Sequence, residues 1–123
     1  MNITSELIEQ YNNTALIVFL NGKWDYIESV NFSGHVITAW NPLGVKDTLK
    51  QNQLANINLE NELRCRNVYF YPCVGCNLEQ TWFEIGFAIE GLSDAQAREI
   101  GRKFEQLAIF QVVNSFKSLI DCN

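Results

Sequence analysis

The stretch from Thr81 to Glu90, TWFEIGFAIE, has the clearest periodicity in the chain. Large apolar residues alternate along it with smaller or polar ones, which is the pattern of a β-strand with one buried face. The residues expected on that buried face are Phe83, Ile85, Phe87 and Ile89. The sequence therefore predicts a strand over 81–90 whose opposite face carries Trp82 and Glu84.

Patterns on either side of this strand predict the remaining elements. Short apolar runs bounded by turn residues predict strands, and apolar residues at intervals of three and four predict helices. Strands are expected over 14–20, 35–40, 67–73 and 109–113, and helices over 4–11, 45–64 and 93–108. The segment 23–34 is expected to be irregular, with a short extended piece around 26–30, and 115–122 is expected to be either a short helix or a strand.

This order of elements predicts an α/β (α+β) fold, because two helices each follow a pair of strands. We expect a single domain over residues 1–123, with one mixed sheet of about five strands and two main packed helices. The predicted core consists of Ile17, Phe19, Ile37, Leu59, Leu63, Phe83, Ile85, Phe87, Ile100, Phe104 and Leu107.

Composition excludes several classes of protein. Of the 123 residues, 47% are hydrophobic and 19% are charged, which is typical of a folded domain rather than a disordered chain. The formal net charge of −5 argues against binding to the phosphates of nucleic acids. The sequence begins with no basic or apolar leader, and its longest apolar run, Ala15 to Leu20, is too short to span a bilayer. We therefore expect a cytoplasmic protein that binds neither nucleic acid nor membrane.

The cysteines and the single histidine predict neither a metal site nor a redox site. Cys73 and Cys76 have the CxxC spacing of zinc and dithiol sites, but no second CxxC pair is present. Both are expected in a turn between two strands, whereas thiol chemistry is favoured at the start of a helix. His35 is expected at the edge of a loop. Since no glycine-rich phosphate-binding motif occurs either, no metal and no cofactor is expected.

Two amides interrupt the apolar stripe of the helix expected over 45–64. Asn52 and Asn56 share a face with the apolar residues of that stripe, and a buried amide costs free energy unless it is hydrogen-bonded. Those apolar residues are Val45, Leu49, Leu59 and Leu63. Each amide is expected either to bond to a nearby backbone group or to face a ligand.

A candidate site forms if this helix covers the face of strand 81–90 that carries Glu84. Asn41 lies at the end of the strand before the helix, which is a common position for ligands in α/β sheets. A carboxyl beside the indole of Trp82 is partly desolvated, which favours its protonated form. The residues predicted to converge are Asn41, Asn52, Trp82, Glu84 and Gln106. Such a cluster is either a ligand site or a buried structural network.

Several motifs resemble the DUF3293 family, a set of small bacterial proteins of unknown function. The first is ITAWNP at 37–42, which is followed by Asn52, Leu59 and Leu63. The middle of the chain resembles the family in Gly75, Trp82-x-Glu84 and Gly91-Leu92, and the end resembles it in FEQLAIF at 104–110. The resemblance covers about 36–110 in the family's order and spacing.

The chain departs from the family pattern at two places. A small or polar residue often follows Asn-Pro in the family, whereas Leu43-Gly44 stands here, and Glu105 replaces a glycine. The resemblance implies no activity. Its signature residues are mostly Asn, Gln, Trp and Glu, the same types that form the candidate site.

Two functions are compatible with these residues. The first is a binding or regulatory module that recognises a small polar ligand or a protein partner, with Asn41, Asn52, Trp82 and Gln106 as ligand-binding residues. It is favoured because no activated nucleophile, metal cluster or cofactor motif is present. The alternative is a small enzyme in which Glu84 is the catalytic general acid or base.

Overall fold

The computed structural model describes residues 4–122, which form a seven-stranded sheet with helices packed against it. The helices are α1 (Ser5–Asn12), α2 (Leu49–Cys65) and α3 (Asp94–Lys103). The strands are β1 (Thr14–Leu20), β2 (Lys23–Tyr26), β3 (Gly34–Thr38), β4 (Phe70–Asn77), β5 (Phe83–Ile89), β6 (Ala108–Val113) and β7 (Phe116–Asp121). No helix within residues 4–122 is long and apolar enough to cross a membrane.

The strands are ordered β2-β1-β4-β5-β3-β6-β7, and each neighbouring pair is antiparallel. The predicted class, one sheet with packed helices, is confirmed, with seven strands instead of five. The sheet is antiparallel rather than mixed because β1–β2, β4–β5 and β6–β7 are hairpins of consecutive strands.

Two hairpins account for the additional strands. Asn21 and Gly22 join β1 to β2 with φ of 55° and 83°, and Asn114 and Ser115 join β6 to β7 with φ of 48° and 70°. Positive φ at both central residues matches the twist of paired strands. The prediction that 23–34 is irregular is therefore wrong for Lys23–Tyr26, and the piece expected to be extended around 26–30 contains a 3-10 helix over Ile27–Ser29. Of the two alternatives for 115–122, the structure has the strand, β7.

Buried side chains form one cluster on each face of the sheet. The helix-side cluster lies under α2 and α3 and consists of Ile37, Ala39, Leu59, Leu63, Phe87, Ile89, Ala97, Ile100, Ile109 and Cys122. The opposite cluster consists of Leu16, Val18, Ile27, Phe32, Val36, Cys73, Ala88, Phe110 and Val112. Because β5 contributes to both, each of its faces is buried near its C-terminal end.

The predicted core is correct at its centre and wrong at its edges. Ile37, Leu59, Leu63, Phe87 and Ile100 are buried. Phe19 and Phe83 are exposed, and Ile17, Ile85, Phe104 and Leu107 are only partly buried. Strand β1 buries the alternate residues, Leu16 and Val18. The prediction chose the wrong face because a continuous apolar run does not indicate which of its two faces is buried. Phe83 lies at the start of β5, away from the buried end of that strand.

Helix α2 begins later than predicted, at Leu49 rather than Val45. The hydroxyl of Thr48 accepts the N–H of Gln51 at 3.2 Å and caps the helix. Val45 therefore lies in the preceding loop, where it is 68% exposed, and it does not extend the apolar stripe.

Helix α3 ends at Lys103, although the apolar pattern predicted a helix to residue 108. The N–H of Gln106 donates to the carbonyl of Gly101, and the N–H of Glu105 donates to that of Arg102. These two bonds form a Schellman cap. In such a cap the first residue beyond the C-cap, which donates the second of these bonds, adopts a left-handed conformation. Glu105 occupies that position with φ of 57°. The cap ends the helix, so that the chain can enter β6 at Ala108.

His35 and the CxxC pair lie in strands, not in a loop edge and a turn as predicted. His35 is buried in β3, and its Nε2 lies 2.7 Å from Oδ1 of Asp94 at the start of α3. Cys73 and Cys76 belong to β4, where residues three apart point to opposite faces of the sheet. A disulfide between them would require the strand to break.

We predict that Glu105→Gly stabilises the protein. Glycine adopts positive φ without the steric cost that a Cβ imposes, and this gain exceeds the extra entropy of the unfolded chain. Chemical denaturation should show an increase of about 0.5–1 kcal/mol in the free energy of unfolding. Glu99→Gly, an exposed interior position of the same helix, should instead lose about 1 kcal/mol. A loss at both positions would contradict the account of the cap.

Candidate functional site

Asn41 has an unusual backbone conformation just after β3. Its φ of 50° and ψ of 64° lie in the left-handed region, which Asn tolerates better than most residues. Leu43 and Gly44 also have positive φ, of 58° and 75°, so the chain turns sharply here. The N–H of Leu43 donates to the carbonyl of Glu105 at 2.7 Å and ties this turn to the end of α3.

Asn41 and Asn52 hydrogen-bond to each other twice. The backbone N–H of Asn41 donates to Oδ1 of Asn52 at 2.9 Å, and Nδ2 of Asn52 donates to Oδ1 of Asn41 at 3.0 Å. The same Oδ1 of Asn41 accepts the N–H of Asp47 at 2.9 Å. We call this pair the asparagine clamp, because it fastens the first turn of α2 to the end of β3. The buried amide of Asn52 is thereby satisfied within the apolar stripe.

The side-chain nitrogen of Asn41 connects the clamp to Glu84. Nδ2 of Asn41 donates to Oε2 of Glu84 at 3.3 Å. Burial raises the pKa of Glu84 to about 7, and the bond from Asn41 opposes that rise only in part. Within residues 4–122, Oε1 of Glu84 accepts no hydrogen bond and no basic side chain pairs with this carboxyl. Glu84 is therefore a carboxyl that changes charge near neutral pH.

Glu84 lines a cavity of about 430 Å³. Its inner wall comes from the opposite cluster, through Leu16, Val36, Cys73 and Phe110. Its outer part is lined by exposed residues, which include Lys46, Leu49, Thr81 and Phe83. A mostly apolar cavity of this volume that contains a few polar groups is typical of sites for small organic molecules.

Two glycines, Gly75 and Gly86, lie next to Glu84 and leave space beside its side chain. Gly75 pairs with Glu84 across β4 and β5, and a Cβ there would lie 3.4 Å from Thr14 and 3.6 Å from Leu16. A side chain longer than alanine at this position would extend toward these cavity residues. Gly86 approaches β3 so closely that a Cβ would lie 2.3 Å from the carbonyl oxygen of Ile37.

Four of the five predicted site residues meet at the cavity. Asn41, Asn52, Trp82 and Glu84 all line it. Gln106 does not line it, and its Nε2 donates to the carbonyls of Trp40 at 3.1 Å and of Phe104 at 3.2 Å. Gln106 therefore positions the backbone next to Asn41 instead of reaching the cavity. The assignment of the other residues to ligand binding or catalysis stays a prediction.

The predicted route by which the helix reaches Glu84 is wrong. Helix α2 packs on the face of β5 that carries Phe87 and Ile89, not on the face of Glu84. Asn52 meets the carboxyl only through Asn41, whose bonds extend to both elements. Asn56 is not part of this network, and its buried Oδ1 has no hydrogen-bond partner within residues 4–122.

Sequence reasoning missed two aromatic residues of the cavity. Tyr11 at the end of α1 lines it, and its ring packs edge-on against Phe110 with ring centroids 5.2 Å apart. Burial raises the pKa of Tyr11, and the charge of Glu84 adds to this rise. Trp40 also lines the cavity and packs against Phe83, with ring centroids 5.4 Å apart. The position of Trp40 next to Asn41 in the sequence could have indicated it, whereas nothing local indicates Tyr11.

No group of three or more potential metal-binding side chains occurs within residues 4–122. Cys73 lines the cavity, but burial raises the pKa of its thiol to about 12. A thiol with such a pKa stays protonated near neutral pH and is a poor nucleophile. The titratable chemistry of the cavity near neutral pH is therefore concentrated at Glu84.

Residues 37–109 match the sequence profile of a family described as a protein of unknown function (DUF3293). The chain belongs to this family. No curated protein and no solved structure matches the chain. The DUF3293 segment contains all five predicted site residues, whereas the part of the cavity wall contributed by α1 and β1 precedes it.

The asparagine clamp predicts different results for two amides on the same helix of this DUF3293 protein. Asn52→Leu removes both hydrogen bonds between Asn52 and Asn41 and leaves the backbone N–H of Asn41 without an acceptor, which should cost about 1–3 kcal/mol of unfolding free energy. Asn56→Leu removes an amide whose oxygen has no partner, so it should change stability by less than about 0.5 kcal/mol or increase it. Urea denaturation of both variants tests this difference. Equal losses would show that the clamp makes no special contribution.

The raised pKa of Glu84 predicts how stability depends on pH. Between about pH 4.5 and 7 the folded protein retains a proton that the unfolded chain releases, so stability falls as pH rises through this interval. Glu84→Gln removes this dependence and should be more stable than wild type above pH 8, by an amount on the order of 1–3 kcal/mol. Thermal unfolding of both proteins from pH 4 to 9 measures it.

Glu90→Gln is the matched control, because it makes the same change on the residue after β5, outside the residues that line the cavity. Because Glu84 is intact in this variant, its stability should fall between pH 4.5 and 7 as that of wild type does. If Glu84→Gln follows the same pH dependence as wild type, Glu84 titrates like an exposed carboxyl and the description of the cavity is wrong.

Proposed function

We propose that this DUF3293 protein is a binding module for a small molecule that enters the cavity and contacts Glu84. The observation that carries the proposal is an apolar cavity with a carboxyl oxygen, Oε1, that no residue in 4–122 satisfies. Glu84 is half-buried and lines the cavity, so its Oε1 is accessible to a molecule that enters there. The concave shape favours a small ligand over a protein partner, which would need an open apolar surface.

The clamp supports this proposal because it holds the carboxyl in a fixed position. The hydrogen bond from Asn41 fixes Oε2, and Asn52 and Asp47 fix Asn41. Side chains held in this way lose little entropy when a ligand binds, which increases affinity. The left-handed conformations of Asn41 and Leu43 fit the same interpretation, since strained backbone is concentrated at binding sites.

A second candidate is an enzyme in which Glu84 transfers a proton. The specific observation that favours it is a pKa of about 7, at which a carboxyl is an efficient general acid or base under neutral conditions. In that case the ligand would carry its reacting proton next to Oε1. Binding and catalysis at Glu84 begin with the same complex, so binding is tested first.

The test is a screen of a diverse fragment library by thermal shift, followed by NMR mapping of each hit. We expect hits that raise the melting temperature and perturb the amides of Asn41 and Glu84. Gly75→Val, which adds a side chain beside Thr14 and Leu16, should abolish their binding, and Glu84→Gln should weaken it. Conversion of a hit by wild type but not by Glu84→Gln would favour the enzyme.

Two controls decide whether the hits support the proposal. Glu90→Gln should bind every hit as tightly as wild type does, because it lies outside the cavity. Gly75→Ala should remain close to wild type, since its Cβ would make only ordinary contacts. Hits that map elsewhere, or that bind Gly75→Val as tightly as wild type, would contradict the proposal, as would a screen without hits.

A further inference from the structure

We infer that the ligand of this cavity is an organic monocation, an amine or amidinium group attached to an apolar or aromatic body. This inference rests on the proposed function and specifies the class of molecule. It is carried by two features of the cavity: a carboxyl that pairs with no basic side chain in residues 4–122, and aromatic rings around it.

The first feature is the charge inside the cavity. Glu84 forms no ion pair within residues 4–122, and a carboxylate removed from water is costly unless an opposite charge accompanies it. Among residues 4–122, the other charged residues of the lining are Lys46 and Asp47, which carry opposite signs. The cavity as a whole is therefore negative when Glu84 is ionised, so it attracts a cation and repels an anion.

The second feature is the set of aromatic rings. Tyr11, Trp40, Trp82 and Phe83 all line the same cavity as Glu84. The negative faces of aromatic rings attract cations, and their apolar surface packs against the body of an organic ligand. A metal ion would gain little from such walls, because it requires several oxygen, nitrogen or sulfur ligands. An organic cation uses both the rings and the carboxylate.

The carboxylate also has the geometry to receive such a group. Oε2 already accepts a bond from Asn41, whereas Oε1 has none from residues 4–122. An ammonium or amidinium group can donate to Oε1, and an amidinium can approach both oxygens side by side. A neutral amide would make a weaker bond, because its donor carries no positive charge to pair with the carboxylate.

Binding of a cation should depend on pH with a defined sign. The cation pairs with ionised Glu84, so protonation of the carboxyl competes with the ligand. Because burial raises the pKa of Glu84 to about 7, affinity should fall about tenfold from pH 8 to pH 6. A cation paired with an ordinary surface carboxylate would show no change over this interval.

The experiment compares three probes with one aromatic body and different charge: benzamidine, benzamide and benzoate. NMR titration at pH 8 should show benzamidine binding at Glu84, benzamide binding at least tenfold more weakly, and no binding of benzoate. The preference for benzamidine should disappear in Glu84→Gln. It should persist in Glu90→Gln, which has the same net charge as Glu84→Gln because each variant removes one carboxylate. Benzylamine and benzyl alcohol repeat the comparison with a more flexible body.

The outcomes separate this inference from the proposed function. If benzamide or benzoate binds in the cavity as tightly as the cations do, the inference is overturned while small-molecule binding stands. The inference is also overturned if the cations bind equally well at pH 6 and pH 8, or if the cavity accepts only neutral fragments. If no fragment of any charge binds in the cavity, the proposed function itself fails.

Discussion

The asparagine clamp is the interaction on which the rest of the candidate site depends. Its two bonds between Asn41 and Asn52 join a strand end to a helix start, and a third bond from Asn41 reaches Glu84 on another strand. An amide is suited to this position because it donates and accepts at once without adding a charge. A charged residue at position 41 would alter the charge of the cavity, and an apolar one would leave Glu84 without its donor. The clamp therefore determines both the position of the carboxyl and its environment.

The sheet explains why a carboxyl can lie in such apolar surroundings. Helices α2 and α3 cover one face of β5, so the fold already has a core on that side. The other face has a second core, which β5 joins at Ala88 near its C-terminal end. Glu84 lies at the edge of that core, near the start of the strand, with the small residues Gly75 and Gly86 beside it. Desolvation at this boundary raises the pKa of Glu84, while the adjacent cavity leaves one of its oxygens accessible to a ligand. Desolvation of Glu84 costs free energy of folding, and the burial of apolar side chains in the two cores offsets that cost.

The sequence predicted those parts of the site that local patterns encode. Alternation placed Trp82 and Glu84 on one strand face, and the two amides in an apolar stripe indicated that α2 carries a polar contact. It did not predict that the contact passes through Asn41, because the left-handed turn after β3 depends on a bond to Glu105 far along the chain. Nor did it predict Tyr11, since the position of α1 beside the sheet is set by tertiary packing. Gln106 does not line the cavity, because the Schellman cap ends α3 just before it. Glu105 occupies the cap position where glycine is usual, so the end of the helix was not visible in the sequence pattern.

The most direct test of this account is the pKa of Glu84 itself, measured from the ¹³C chemical shift of its carboxyl carbon as pH is varied. A midpoint near 7 is expected in wild type, because the carboxyl is desolvated and pairs with no basic side chain in residues 4–122. Saturation with a cation bound at Oε1 should lower that midpoint, since the charged form is then favoured. A midpoint near 4.5 in the free protein would mean that Glu84 is solvated like a surface carboxyl, and it would contradict both the desolvated site and the proposals built on it.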